Sequence, residues 1–186
     1  MEVRKLIYVS MFATIMGALG MVPPILLGFS PVPITLQTLG VMLAGSVLGV
    51  KLGPKYAALS QLLFMLLVAA GLPLLSGGRG GIGVFVTPSG GYLIGYIAAA
   101  YVIGWICCRM KEMTVAKTLA AHVIGGMIVV YLFGVPFQAM MMDISVREAA
   151  MLSLVYLPGD FTKAVVAALL AVRLQKALPV PKEVRV

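Results

Sequence analysis

The sequence is poor in charge. Only 11% of its 186 residues are Asp, Glu, Lys or Arg, whereas 61% are apolar. Soluble domains carry roughly 25% charged residues, so an ordinary water-facing surface is excluded. Cysteine is scarce as well: Cys107 and Cys108 are adjacent, at the end of an apolar run. Neighbouring thiols do not staple distant segments, so no disulfide framework exists, and the pair is expected to pack as small apolar side chains. The single histidine, His122, lies in an apolar stretch. Metal sites draw on several ligands, so no metal is expected, and His122 reads as a hydrogen-bonded core or interface residue. No G-x-x-x-x-G-K-[ST] occurs, so the chain has no recognisable ATP-hydrolysing site of its own. Gly78-x-Gly80-x-x-Gly83 has the spacing of a dinucleotide fingerprint. That motif needs a strand before it and a helix after it within a βαβ unit, which a membrane-embedded chain lacks.

Long apolar runs are what the sequence has in abundance. A helix needs about 20 mainly apolar residues to cross a bilayer core of about 30 Å. Six candidate spans run from Leu6 to Val22, Leu36 to Val50, Tyr56 to Gly71, Gly91 to Cys108, Thr118 to Val135 and Leu154 to Ala171. Prolines mark the expected breaks, among them Pro23-Pro24, Pro31, Pro33, Pro54, Pro73, Pro88, Pro136 and Pro158. The N-terminal stretch resembles a signal peptide, with Arg4 and Lys5 before an apolar run and then Ala18-Leu19-Gly20; it is taken as the first span. The expected architecture is an all-α integral membrane protein of six transmembrane helices, forming one domain over residues 1–186.

The formal net charge is +8. Its cations sit at the ends of apolar runs rather than along one polar stripe, so nucleic-acid binding is not expected. Arg4, Lys5, Lys51, Lys55, Arg109, Lys111, Lys117, Arg173, Lys176, Lys182 and Arg185 fall on one side of the expected topology. The other side holds Arg79 and Arg147, with Lys163 inside the last span. The positive-inside rule then puts both termini in the cytoplasm.

Few ionisable residues remain, and they converge on the outer face. Arg79 lies in the glycine-rich loop Leu75-Ser76-Gly77-Gly78-Arg79-Gly80-Gly81-Ile82-Gly83. Asp160 and Lys163, three residues apart at the start of span six, share a helix face. They read either as an ion pair that starts the helix, favoured by its positive N-terminal end, or as groups facing a cavity. Together with Arg79 they leave a site of about +1, suited to a small monoanion that also carries N–H groups. Arg79 is able to grip a carboxylate bidentately, Lys163 to add a point charge, and Asp160 to accept from N–H donors. Tyr92 and Gln37 sit at the outer ends of spans near Arg79 and are further candidates for lining the pocket. Asp143, Arg147 and Glu148 read as a solvated, short amphipathic segment. Span one carries small residues at i, i+4 spacing: Ser10, Thr14 and Ala18 on one face, Ala13 and Gly17 on another. Such faces let helices approach closely, within this chain or against another membrane subunit.

Several stretches together resemble the BioY family: Pro31-Val32-Pro33-Ile34-Thr35-Leu36-Gln37-Thr38, Gly71-Leu72-Pro73, Gly77-Gly78-Arg79-Gly80-Gly81, Pro88-Ser89-Gly90-Gly91-Tyr92, and Pro158-Gly159-Asp160 with Lys163. The resemblance implies a biotin-specific S component of an energy-coupling factor (ECF) transporter in the cytoplasmic membrane of a prokaryote. It implies a six-helix bundle with an extracytoplasmic vitamin pocket and no cofactor, biotin being the transported ligand. Its implied partners are a transmembrane coupling subunit and two ABC-type ATPase subunits. The family's arginine, acid and lysine would correspond to Arg79, Asp160 and Lys163. Its docking motif on span one is matched loosely by Ala13-x-x-x-Gly17. Other readings remain: a solitary biotin facilitator, an S component for another vitamin, and an intramembrane enzyme. The last lacks a catalytic constellation, having one histidine and one carboxylate near a span.

Overall fold

The computed structural model describes residues 2–177; the expected cytoplasmic cations Lys182 and Arg185 lie outside the described residues. Six helical rods overlie the six apolar runs. The first four are α1 (Glu2–Gly20), α2 (Gln37–Leu52), α3 (Pro54–Ala69) and α4 (Gly90–Cys108). The fifth is α5 (Val115–His122), which continues through a π-helical segment (Val123–Val129) into α6 (Val130–Met142). The sixth is α7 (Val146–Ser153), joined by one 3-10 turn (Leu154–Tyr156) to α8 (Leu157–Ala177).

Four rods are long and apolar enough to cross a membrane: Val3–Gly20, Gly90–Cys108, Val115–Met142 and Val146–Ala177. The other two, α2 and α3, have 16 residues each. At 1.5 Å per residue they reach about 24 Å, short of the hydrocarbon thickness. For α2 the reason is its place: nearly every residue from Gln37 to Lys51 is buried, and it packs on α1, α3, α4 and α8. The core therefore sits around α2.

Small residues make that packing possible. Lipid tails are as apolar as leucine, so helices associate through close backbone approach rather than by escaping water. At the α2–α4 crossing, a Cβ added to Gly49 would collide with the Gly104 backbone, and one added to Gly104 would come within 3.2 Å of Gly49 Cα. On α8, Ala164, Ala167, Ala168 and Ala171 are fully buried and form the flat surface that meets α2 and α5.

Two proline readings differ from the structure. Pro136 was expected to end span five, yet α6 carries it internally and continues to Met142. Membrane helices tolerate proline where neighbouring helices and local adjustments satisfy the freed backbone groups. The helix stops instead at Asp143, which has φ 53°, a left-handed conformation that aspartate adopts more readily than most residues. Pro158 was also expected to mark a break; it occupies the first turn of α8, where a missing N–H costs no helical bond. Upstream, Ser145 and Glu148 form a reciprocal capping box that starts α7. The expected solvated segment is thus a capped helix.

A β-hairpin links α1 to α2, pairing β1 (Ile25–Leu27) with β2 (Ser30–Ile34) antiparallel. Ser30 and Val32 point inward, and Pro31 between them is exposed, as the two-residue period of a strand requires. The prolines tolerate this place because the hairpin has free edges.

Candidate functional site

The N-terminal ends of α2 and α4, the hairpin, the glycine-rich loop and the start of α8 meet at one end of the bundle. They surround a cavity of about 550 Å³, a figure that includes the open space at its mouth. Arg79, Asp160, Lys163, Tyr92 and Gln37 all line it. The five candidate ligand-binding residues, drawn from four separate stretches of sequence, thus share one pocket.

The floor is a buried polar network. Lys163 Nζ donates to Asp160 Oδ1 at 2.7 Å and to Thr38 Oγ1 at 3.1 Å. Thr38 Oγ1 also donates to Asp160 Oδ1, at 3.3 Å, and Tyr131 OH donates to Asp160 Oδ2 at 2.7 Å. Asp160 and Lys163 are 5% and 8% exposed, so the pair is no surface bridge that merely starts a helix. A buried ion pair survives when further hydrogen bonds satisfy its remaining lone pairs and protons, and here Thr38 and Tyr131 supply them.

The network also leaves room for a ligand. An ionised carboxylate offers about four lone-pair sites and an ammonium three donors. Asp160 accepts three bonds and Lys163 gives two. One acceptor position, on Asp160 Oδ2, and one donor, on Lys163 Nζ, therefore remain.

Arg79 is held at the rim by a tight turn. Leu75 N donates to Arg79 O at 3.0 Å, and Arg79 N donates back to Leu75 O at 3.2 Å. Gly77 and Gly78 close the turn at φ 81° and 69°, a region that side chains other than glycine avoid. The guanidinium donates through Nε to Ser76 O at 3.3 Å. Among the described residues no carboxylate pairs with it, so the pocket keeps one cation uncompensated.

Gln37 and Tyr92 line the wall, but their polar ends are engaged elsewhere. Gln37 Nε2 donates to Leu74 O at 3.1 Å and Met16 O at 3.3 Å, tying α2 to α1 and to the glycine-rich loop. Tyr92 OH donates to Gln138 Oε1 at 2.8 Å and lies 2.9 Å from Ser153 Oγ. Its ring meets Tyr131 edge to face, with centroids 5.9 Å apart.

Four of the seven tyrosines, Tyr92, Tyr96, Tyr131 and Tyr156, line the cavity. Tyr156 is fixed by a hydrogen bond to Ser30 of the hairpin. Sequence reasoning missed Tyr131, Tyr156, Tyr96 and Thr38. The signal for Tyr131 was a hydroxyl inside a mainly apolar span, which is costly unless it has a partner. Thr38 adjoins Gln37, but nothing local shows that it meets α8.

The proposed docking pair lies elsewhere. Ala13 is 2% exposed and Gly17 is buried, with Leu74 covering it. This face packs inside the chain, which corrects the expectation that it meets another subunit. Ser10, Thr14 and Ala18 are the small residues that α1 turns outward. His122 is fully buried, with Nδ1 3.2 Å from Ala164 O, and lies outside the pocket.

Comparison with known proteins gives this geometry a family. The sequence matches the BioY family over residues 1–180. The chain belongs to the BioY family. It is 50% identical over 178 residues to the probable biotin transporter BioY of Bacillus subtilis (strain 168), covering 96% of this chain and 94% of that protein. It is 47% identical over 177 residues to the biotin transporter BioY of Rhizobium etli, covering 91% and 92%. The fold matches a crystal structure of the S-component for biotin from an ECF-type ABC transporter, with a TM-score of 0.87 and 34% identity over 94% of this chain and 92% of that one. This BioY-family chain is a multi-pass membrane protein with the S-component fold.

Proposed function

We propose that this protein is the substrate-specific subunit of an ECF-type transporter, binding biotin and delivering it across the cytoplasmic membrane of a prokaryote. The observation that carries the reading is a single pocket holding one free cation at its rim and a donor–acceptor couple in its floor. Biotin has one carboxylate at physiological pH and a ureido ring with two N–H donors and a carbonyl. Arg79 meets the carboxylate, because Lys163 is already committed to Asp160 and Thr38. The spare acceptor position of Asp160 takes a ureido N–H, and the spare donor of Lys163 takes the carbonyl. The tyrosine rings pack against the apolar body between these two ends.

With both termini in the cytoplasm, the pocket opens outward. The chain carries no nucleotide-binding motif, so energy comes from partners: a transmembrane coupling subunit and two ATPase subunits. Biotin leaves chemically unchanged. The test is uptake of labelled biotin by biotin-auxotrophic cells expressing this chain with and without a coupling module, with thiamine and riboflavin as competitors. Uptake that only unlabelled biotin suppresses, and that rises with the module, is expected. Equal suppression by riboflavin or thiamine would overturn the substrate, and module-independent uptake would overturn the partner set.

A further inference from the structure

At the opposite end of α2 from the pocket, a second group of side chains has no role in the reading above. Lys51, in the last turn of α2, is 5% exposed, and its Nζ lies 5.4 Å from the centroid of the Tyr8 ring. One turn earlier on α1, Lys5 lies 5.2 Å from the centroid of Tyr56, in the first turn of α3. Two crossed cation–ring pairs thus gather the ends of α1, α2 and α3. Lys55 adds an exposed cation. The start of α3 adds its own positive end, with Pro54 behind Gly53, no side-chain cap and no acidic residue in the first turn.

The plain explanation for Lys51 is a cation at a helix C-terminus, favoured by the macrodipole. That accounts for its charge but not for its burial. An ammonium has three donors, and an aromatic face attracts the charge without offering lone pairs. Among the described residues no acceptor hydrogen-bonds to Lys51. The stem of Lys51 is packed while its Nζ still reaches the surface, with no acceptor of the described chain taking its donors, so an anionic oxygen from outside the chain is able to meet it.

The surroundings indicate what carries that oxygen. α1 packs on α3, and below the cations the two helices leave Leu6, Leu59 and Leu62 exposed. Tyrosines at this level are typical of the headgroup region. Cations clustered beside exposed leucines complement an amphiphile rather than a free ion, and basic clusters at the ends of membrane helices are known to hold lipid headgroups.

We propose that the ends of α1, α2 and α3 bind the phosphate of an anionic phospholipid, with Lys51 as the principal donor and Tyr8 and Tyr56 as the walls. The orientation proposed above decides only which leaflet supplies the lipid, and the measurement does not involve biotin, so the two proposals fail separately.

The test is native mass spectrometry of the purified full-length protein titrated with phosphatidylglycerol or phosphatidylcholine. The wild type should retain one phosphatidylglycerol in preference to phosphatidylcholine. Lys51→Met should weaken that retention about five- to tenfold, while Lys117→Gln, an exposed cation on another helix, should leave it unchanged. Thermal unfolding of each variant checks the fold. If Lys51→Met unfolds, the double variant Lys5→Gln/Lys55→Gln tests the same site from its rim and should also weaken retention. Soluble glycerol phosphate should not displace the lipid at equal concentration. Undiminished retention in these variants, equal binding of phosphatidylcholine, or equally strong binding of glycerol phosphate would overturn the proposal.

Discussion

Lys163 Nζ lies 2.7 Å from Asp160 Oδ1, and both side chains are about nine-tenths shielded from solvent. Removing one partner of such a pair leaves a buried charge uncompensated, at a cost of about 3–5 kcal/mol. Lys163→Met is expected to destabilise the protein by an amount near the lower end of that range, because the pocket mouth admits some water. The double variant Asp160→Asn/Lys163→Met removes both charges and should recover part of the loss. Unfolding in detergent checks this; strictly additive losses would show that the two groups do not interact.

Tyr131 donates to the other carboxylate oxygen. Tyr131→Phe keeps the ring packed on Tyr92 and removes only that donor, a hydrogen bond to a charged group worth about 1.5–3 kcal/mol. Lower stability and weaker biotin binding are expected together. Binding by Tyr131→Phe equal to the wild type would mean that Asp160 is held by Lys163 and Thr38 alone.

Arg79 behaves differently, because the only hydrogen bond its side chain makes among the described residues is to Ser76 O. Arg79→Ala should therefore leave the unfolding midpoint nearly unchanged while biotin affinity falls roughly 10- to 100-fold, the equivalent of one charge-assisted hydrogen bond. A variant that unfolds, or that binds normally, contradicts the role assigned to this side chain.

The Gly49–Gly104 crossing gives a prediction remote from the pocket. Gly49→Ala inserts a methyl group against the backbone of α4, and overpacking of this kind costs about 1–3 kcal/mol. A lower melting temperature is expected, and any loss of binding should follow it. Unchanged stability would mean that the α2–α4 contact is looser than the structure shows.

Much of this molecule is legible in its sequence because the bilayer imposes a simple rule. Backbone polar groups in lipid must pair within their own segment, so apolar runs become helices, and the six runs reappear as six rods. The convergence of Arg79 with Asp160 and Lys163 followed from charge scarcity, since a few cations among apolar spans stand out. Contacts set by tertiary packing were not legible. Nothing near Thr38 announces that it meets α8, and Pro136 reads as a stop although α6 continues through it to Met142. The small-residue pattern at Ala13 and Gly17 correctly marks close packing, but spacing alone does not say whether the close neighbour is Leu74 of the same chain or another subunit.

The central claim is that one pocket recognises biotin through Arg79 at its rim and Asp160 with Lys163 in its floor. Equilibrium binding of labelled biotin to the purified protein, compared with Arg79→Ala and Asp160→Asn, tests it most directly. The account predicts stoichiometric binding by the wild type, displaced by biotin alone, and clear losses of affinity in both variants. Wild-type affinity in both variants, or no binding by a folded wild-type sample, would contradict it.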